Sequence, residues 1–94
     1  MNRDELADEW GGELLFLSEE YYDKCIVGAV EMFGRPPLVC YDKQLLLATM
    51  VERGMESMEE ALEYFEFNVL GAWMGESTPV FLVGDRIIEE RGEQ

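Results

Sequence analysis

The stretch SMEEALEYFEFNVLGAWMGESTPVF, residues Ser57 to Phe81, carries a helix start, a long apolar face, a stop and a strand entry in one run. Ser57 offers the side-chain oxygen wanted at an N-cap, and Glu60 three residues later completes a capping box. A helix therefore begins at Met58. Met58, Ala61, Leu62, Phe65, Val69 and Ala72 follow the i, i+3, i+4, i+7 spacing of one buried face, which Leu70 and Trp73 widen. Glu59, Glu63 and Glu66 fall on the opposite side, where water solvates them. Gly71 and Gly75 each weaken the helix by about 1 kcal/mol relative to alanine, and Gly75 is placed to end it as the C′ residue. Pro79 blocks helical continuation and extends Thr78 into the strand that follows.

Upstream, Ser18 is a second N-cap, with Glu19 and Glu20 at the positive end of the helix dipole. Tyr22, Cys25, Ile26, Ala29, Val30 and Phe33 make a helical stripe, which predicts a helix from Glu19 to about Phe33, stopped by Gly34. Arg35-Pro36-Pro37 reads as a rigid extended connector and Leu38 to Tyr41 as a short strand. Asp42 caps a further helix, Lys43 to Arg53, ended by Gly54. Its apolar residues nearly surround it, which predicts burial on more than one side.

Residues 1–13 are a charged segment in which Leu6 and Trp10 share a helical face. A short helix and a flexible tail docked by its tryptophan both fit, and Gly11-Gly12 ends either. Leu14 to Leu17 reads as a strand or, preferably, as an entry segment whose Leu17 acts as a hydrophobic staple. At the other end, Val80 to Val83 reads as a strand, Gly84-Asp85 as a two-residue turn and Arg86 to Glu90 as the returning strand. The chain is thus expected to be one α+β domain, residues 1–94. It should have three main helices and a small sheet that includes a C-terminal hairpin.

The 94 residues are 48% hydrophobic, with five Phe, four Tyr and two Trp, ample for a core. Twenty-one acidic residues against seven basic ones, with no histidine, leave a net charge of −14. That field disfavours direct binding of nucleic acid through its phosphates and makes a basic protein surface the natural complement. Cys25 and Cys40 are too few for a disulfide framework and read as buried free thiols. The acidic N-terminus has no signal-peptide pattern, and no apolar run reaches the roughly 20 residues that span a bilayer, so a cytoplasmic protein without membrane contact is expected.

The run EALEYFEFNVLGAWMGESTPVF resembles a block, EA.EYFEFN..GAW.GE.TP.F, found in small uncharacterised proteins of bacteriophages and prophages. The likeness extends upstream through YYDKCIVGAVEMFGRPPLVCYD and covers about Glu20 to Leu82. It implies a phage or prophage origin and brings no catalytic residues with it.

The excess charge is unevenly placed. Residues 1–23 hold eight carboxylates and one arginine, residues 55–76 hold six carboxylates and no basic residue, and residues 24–54 hold three acidic and four basic side chains. On the long helix, Glu56, Glu59, Glu60, Glu63 and Glu66 recur at spacings that set neighbours about 5–6 Å apart. Such a face suits a basic groove built for DNA or RNA. Together with Trp73, an indole of the kind that anchors interfaces, and Glu76, these glutamates form the candidate partner-binding set. A metal site is not expected, since no histidine and no calcium-loop pattern is present. No cofactor and no nucleophilic triad is expected either, because the cysteines and serines lack a histidine partner. Asn68 lies between Phe65 and Ala72; if buried, its amide needs partners such as the backbone near Gly75 to Thr78, a structural role that is favoured over ligand contact. The expectation that results is a non-enzymatic acidic inhibitor of a host nucleic-acid-handling or defence complex, a nucleic-acid mimic in the manner of an anti-CRISPR protein. The alternative is a structural phage component that forms a homo-oligomer, marked by an exposed patch around Trp10 and Trp73.

Overall fold

The computed structural model describes residues 2–11, 14–72 and 75–84. In chain order these form α1 (Arg3–Trp10), a 3₁₀ turn (Glu20–Cys25), β1 (Ile26–Met32), β2 (Arg35–Asp42), α2 (Lys43–Glu52), α3 (Met58–Tyr64), a π-helical segment (Phe65–Leu70), a short 3₁₀ turn (Gly75–Ser77) and β3 (Val80–Leu82). The sheet has the order β1-β2-β3, antiparallel between β1 and β2 and parallel between β2 and β3. This is an α+β domain. The expected hairpin partner, Arg86 to Glu90, and its turn at Asp85 lie outside the described residues, as does Trp73.

The helix expected over Glu19 to Phe33 is replaced by a 3₁₀ turn and a strand. The first half of the stripe, Tyr22, Cys25 and Ile26, is buried, but Val30 and Phe33 at its end are exposed. Ile26, Val27 and Val30 are β-branched and lose side-chain freedom against a helical turn, and Gly28 costs a helix interior about 1 kcal/mol. An antiparallel partner is also within reach. Phe33 and Gly34 make a two-residue turn, with Gly34 at φ 76°, a conformation glycine adopts without steric cost.

The partner, β2, is longer than the expected Leu38 to Tyr41 and takes in Pro36 and Pro37. Proline lacks the N–H a central strand needs, and the pairing shows how it is accommodated. Val30 pairs with Leu38 and Met32 with Arg35, so the register slips at the two prolines, while β3 pairs only with Cys40, Tyr41 and Asp42. Among the described residues the proline end of β2 is therefore not flanked on both sides.

The core lies on the face of β2 that carries Val39 and Tyr41, packed by Leu46 and Met50 of α2, Ala61 and Phe65 of the third helical region, and Leu6 of α1. Phe81 from β3 joins it, stacked on Tyr41 at 6.1 Å and edge-on to Phe65 at 4.9 Å. α2 matches expectation: Asp42 accepts from the Leu45 N–H at 3.1 Å as its N-cap, and Leu46, Leu47, Thr49 and Met50 are all buried.

α1 is the helical form of the N-terminal segment, capped by Asn2 and Glu5 in a reciprocal capping box, with Leu6 fully buried. The Arg3 guanidinium binds it to the 3₁₀ turn, with Nε 2.9 Å from Asp23 Oδ2 and a terminal nitrogen 2.8 Å from Asp23 Oδ1 and 2.9 Å from the Leu17 carbonyl. Leu17 does not staple an α-helix. It is buried, and its N–H donates to Tyr41 Oη at 2.9 Å.

Candidate interaction surface

α3 starts at Met58 as its cap predicts, with the Ser57 hydroxyl accepting from the Glu60 N–H at 3.1 Å. The reciprocal half is displaced by one residue, since Glu60 Oε1 accepts from the Glu56 N–H at 2.9 Å. Glu60 is thus partly committed to the helix end.

Beyond Tyr64 the winding loosens into a π-helical segment of six residues, Phe65–Leu70. π segments are uncommon and occur often at functional sites. This one places Phe65 in the core, below Ala61 of α3, and leaves Phe67 and Leu70 78% and 56% exposed. Gly71 closes it, and a Cβ there would stand 3.2 Å from the Glu66 carbonyl and 3.3 Å from that of Phe67. Asn68 is not buried, so it does not tie the helix to the backbone near Gly75 to Thr78. It is exposed, and its Nδ2 donates to the Tyr64 carbonyl at 3.3 Å, a bond within its own helix.

Of the expected partner-binding residues, Glu59, Glu60, Glu63 and Glu66 come together. With Ser57 and Leu62 they line one wide, shallow concavity of about 560 Å³. Glu56 sits at its edge through its bond to Glu60, whereas Glu76 belongs to the separate 3₁₀ turn Gly75–Ser77 and does not line it. Neither of the two ion pairs among the described residues, Arg3–Asp23 and Lys24–Glu52, involves these glutamates. The carboxylates share the concavity without closing on a common point. Among the described residues no three His, Cys, Asp or Glu side chains are grouped to hold a metal ion.

Two smaller cavities flank the π segment and share Val69 and Ala72 as a wall. One, of about 300 Å³, is apolar, lined by Phe65, Leu70, Pro79 and Phe81, with Lys43 Nζ 5.2 Å from the centre of the Phe65 ring. The other, of about 270 Å³, is bounded by Phe16, Ser18, Glu19, Tyr22, Tyr64 and Asn68.

The cysteines are free and buried, and burial raises both thiol pKa values, so they remain protonated and poor nucleophiles. Burial likewise pushes the Tyr22 phenol up to about 12, aided by the neighbouring Tyr21 and Glu19. The Glu52 carboxyl, hydrogen-bonded to Lys24, is held below its ordinary value.

The β1–β2 hairpin is a surface that helical periodicity concealed. Its exposed Val27, Val30, Met32 and Phe33 fall inside the span that helical spacing predicts as a helix, although the β-branched cluster followed by a turn glycine is a strand-and-turn signal. Trp10, half of the expected apolar patch, is half-buried against the core. No helix among the described residues is long and apolar enough to cross a membrane. Comparison with protein-family models, with curated proteins and with solved structures finds no match.

Proposed function

We propose that this is a non-enzymatic acidic protein of phage or prophage origin, acting in the host cytoplasm. It occupies a basic, nucleic-acid-binding groove of a host protein complex and so inhibits or redirects it. A defence nuclease such as a CRISPR effector is the kind of target that fits. The observation that carries this reading is the grouping of Glu59, Glu60, Glu63 and Glu66 around one open concavity without a cationic partner among the described residues. Carboxylates left unneutralised on a rigid helical face raise association rates with a basic partner and penalise acidic ones. Phe67 follows Glu63, and Leu70 follows Glu66, by one helical turn, which adds exposed apolar area beside the charge. Such a surface suits the lysines and arginines of a nucleic-acid channel together with the aromatic side chains that stack bases there.

The test is affinity purification of the tagged protein from a bacterial host at low and moderate salt, with mass spectrometry of what is retained. A nucleic-acid-binding complex recovered at low salt, lost as salt rises, and lost from the E59Q/E63Q/E66Q variant is the expected result. Unchanged recovery by that variant overturns the acidic-face reading. The second reading, a homo-oligomeric phage component whose acidity serves solubility, is favoured by the exposed apolar side chains of the β1–β2 hairpin.

A further inference from the structure

We propose that the β1–β2 hairpin is a self-association surface whose occupant is a second copy of this chain. Among the described residues β1 is the edge of the sheet, with β2 as its one neighbour in the strand order. Pairing of Ala29 with Val39 and of Val30 with Leu38 sets Ala29 on the core face and Val30 and Leu38 on the back. Toward the turn that back is open: Val30 is 37% exposed and Leu38 is half-buried outside the core cluster, and although Cys40 further along the same face is buried, a Cβ placed on its partner Gly28 would meet nothing within 4 Å. Along the same hairpin Val27 is 50% and Met32 56% exposed, and Phe33 at the turn is fully exposed. A phenylalanine standing free at a hairpin tip is costly in water, and Gly34 alone already supplies what the turn requires.

Charge identifies the occupant. Between Ile26 and Asp42 the hairpin carries Glu31, Asp42 and Arg35; Asp42 is buried as the N-cap of α2, and the exposed charges, Glu31 and Arg35, cancel, so the hairpin surface is close to neutral on a molecule of net charge −14. A foreign basic partner is drawn to the glutamate-rich faces, and nothing on the hairpin attracts it electrostatically. A second copy is repelled from those faces and meets the least repulsion where each surface is neutral and apolar. An isologous contact fits, each Phe33 covering apolar surface on the other hairpin. The register irregularities at both ends of β1 limit a continuous ladder, so the contact relies on these side chains more than on added backbone pairing. This inference stands apart from the acidic-face reading, because the two surfaces share no residue.

Light scattering on the full chain, over a concentration series at low and high salt, tests it. The expected result is a dimer whose dissociation constant falls as salt screens the residual repulsion between the two acidic molecules. F33E, at a side chain outside the core, raises that constant by about tenfold or more while the melting transition stays cooperative. V30E on the back of β1 provides a second disruption. The E59Q/E63Q/E66Q variant dimerises at least as well as the parent chain. A chain that is monomeric at every concentration overturns the proposal, as does a dimer that survives both F33E and V30E or one that salt dissolves.

Discussion

Glu20–Met32 and Met58–Leu70 both carry helical apolar spacing after a serine that could cap a helix, yet one folds as a 3₁₀ turn and strand and the other as a helix. Periodicity does not separate them. What differs is the cost of the helix and the value of the alternative. In the first segment Val27, Gly28 and Val30 weaken the helix, and a turn plus a proline-bearing strand provide an antiparallel partner. In the second, glutamates and alanine favour helix, Ser57 caps it in fact, and Phe65 fixes one face in the core. Apolar spacing states which residues could share a face; backbone cost and partner availability decide whether they do.

The largest effect expected from disturbing this contrast is at Phe65, which is 1% exposed and edge-on to Phe81. F65A should cost about 3–5 kcal/mol in chemical denaturation, because it removes the anchor that α3 and β3 share. A comparably broad effect should appear at alkaline pH. Tyr22 is raised to about 12 by burial, and Tyr41 is raised for the same reason. An unfolded tyrosine ionises near pH 10. The stability these phenols contribute is complete below that value and is lost as pH rises toward their folded values. A pH series of melting temperatures should therefore decline above about pH 10, with near-ultraviolet absorbance reporting delayed tyrosine ionisation. Y41F comes next, at about 1–3 kcal/mol, because it leaves the buried Leu17 N–H without an acceptor. Equal stability of Y41F and the parent would mean that the Leu17 contact does not hold the entry to the 3₁₀ turn.

Where local chemistry was self-sufficient, the fold was legible in the sequence. Asp42 and Gly54 bracket α2, Ser57 starts α3 and Pro79 precedes β3, and each of these signals acts within a few residues. The switch of Ile26–Met32 to a strand was not legible from helical spacing, since it depends on pairing with residues across a turn. The π segment was not legible either. It follows from Phe65 being drawn to Phe81 while Gly71 admits the close Glu66 and Phe67 carbonyls, contacts made only in the folded chain. Of the candidate set, Glu59, Glu63 and Glu66, one helical turn apart in the sequence, line one concavity, which i, i+3 and i+4 spacing is enough to read. Glu76 was out of reach of that logic, because the helix ends before it.

The smallest effects discriminate best, because their signs reverse between the two conformations. In an ordinary helix interior, glycine to alanine stabilises by about 1 kcal/mol, and valine to alanine also stabilises. G71A should instead destabilise by about 1 kcal/mol: a methyl group 3.2 Å from the Glu66 carbonyl forces the π turn to shift, which outweighs the gain in backbone entropy. V30A should destabilise by roughly 0.5 kcal/mol, because the exposed β-branched side chain suits a pleated strand better than alanine does. Both are to be measured by urea denaturation at dilute protein, so that self-association does not contribute. A stabilising G71A would mean that α3 continues as a regular α-helix through Leu70. A stabilising V30A would return Ile26–Met32 to the helix that its spacing suggests, and would remove the neutral hairpin on which the proposed dimer rests.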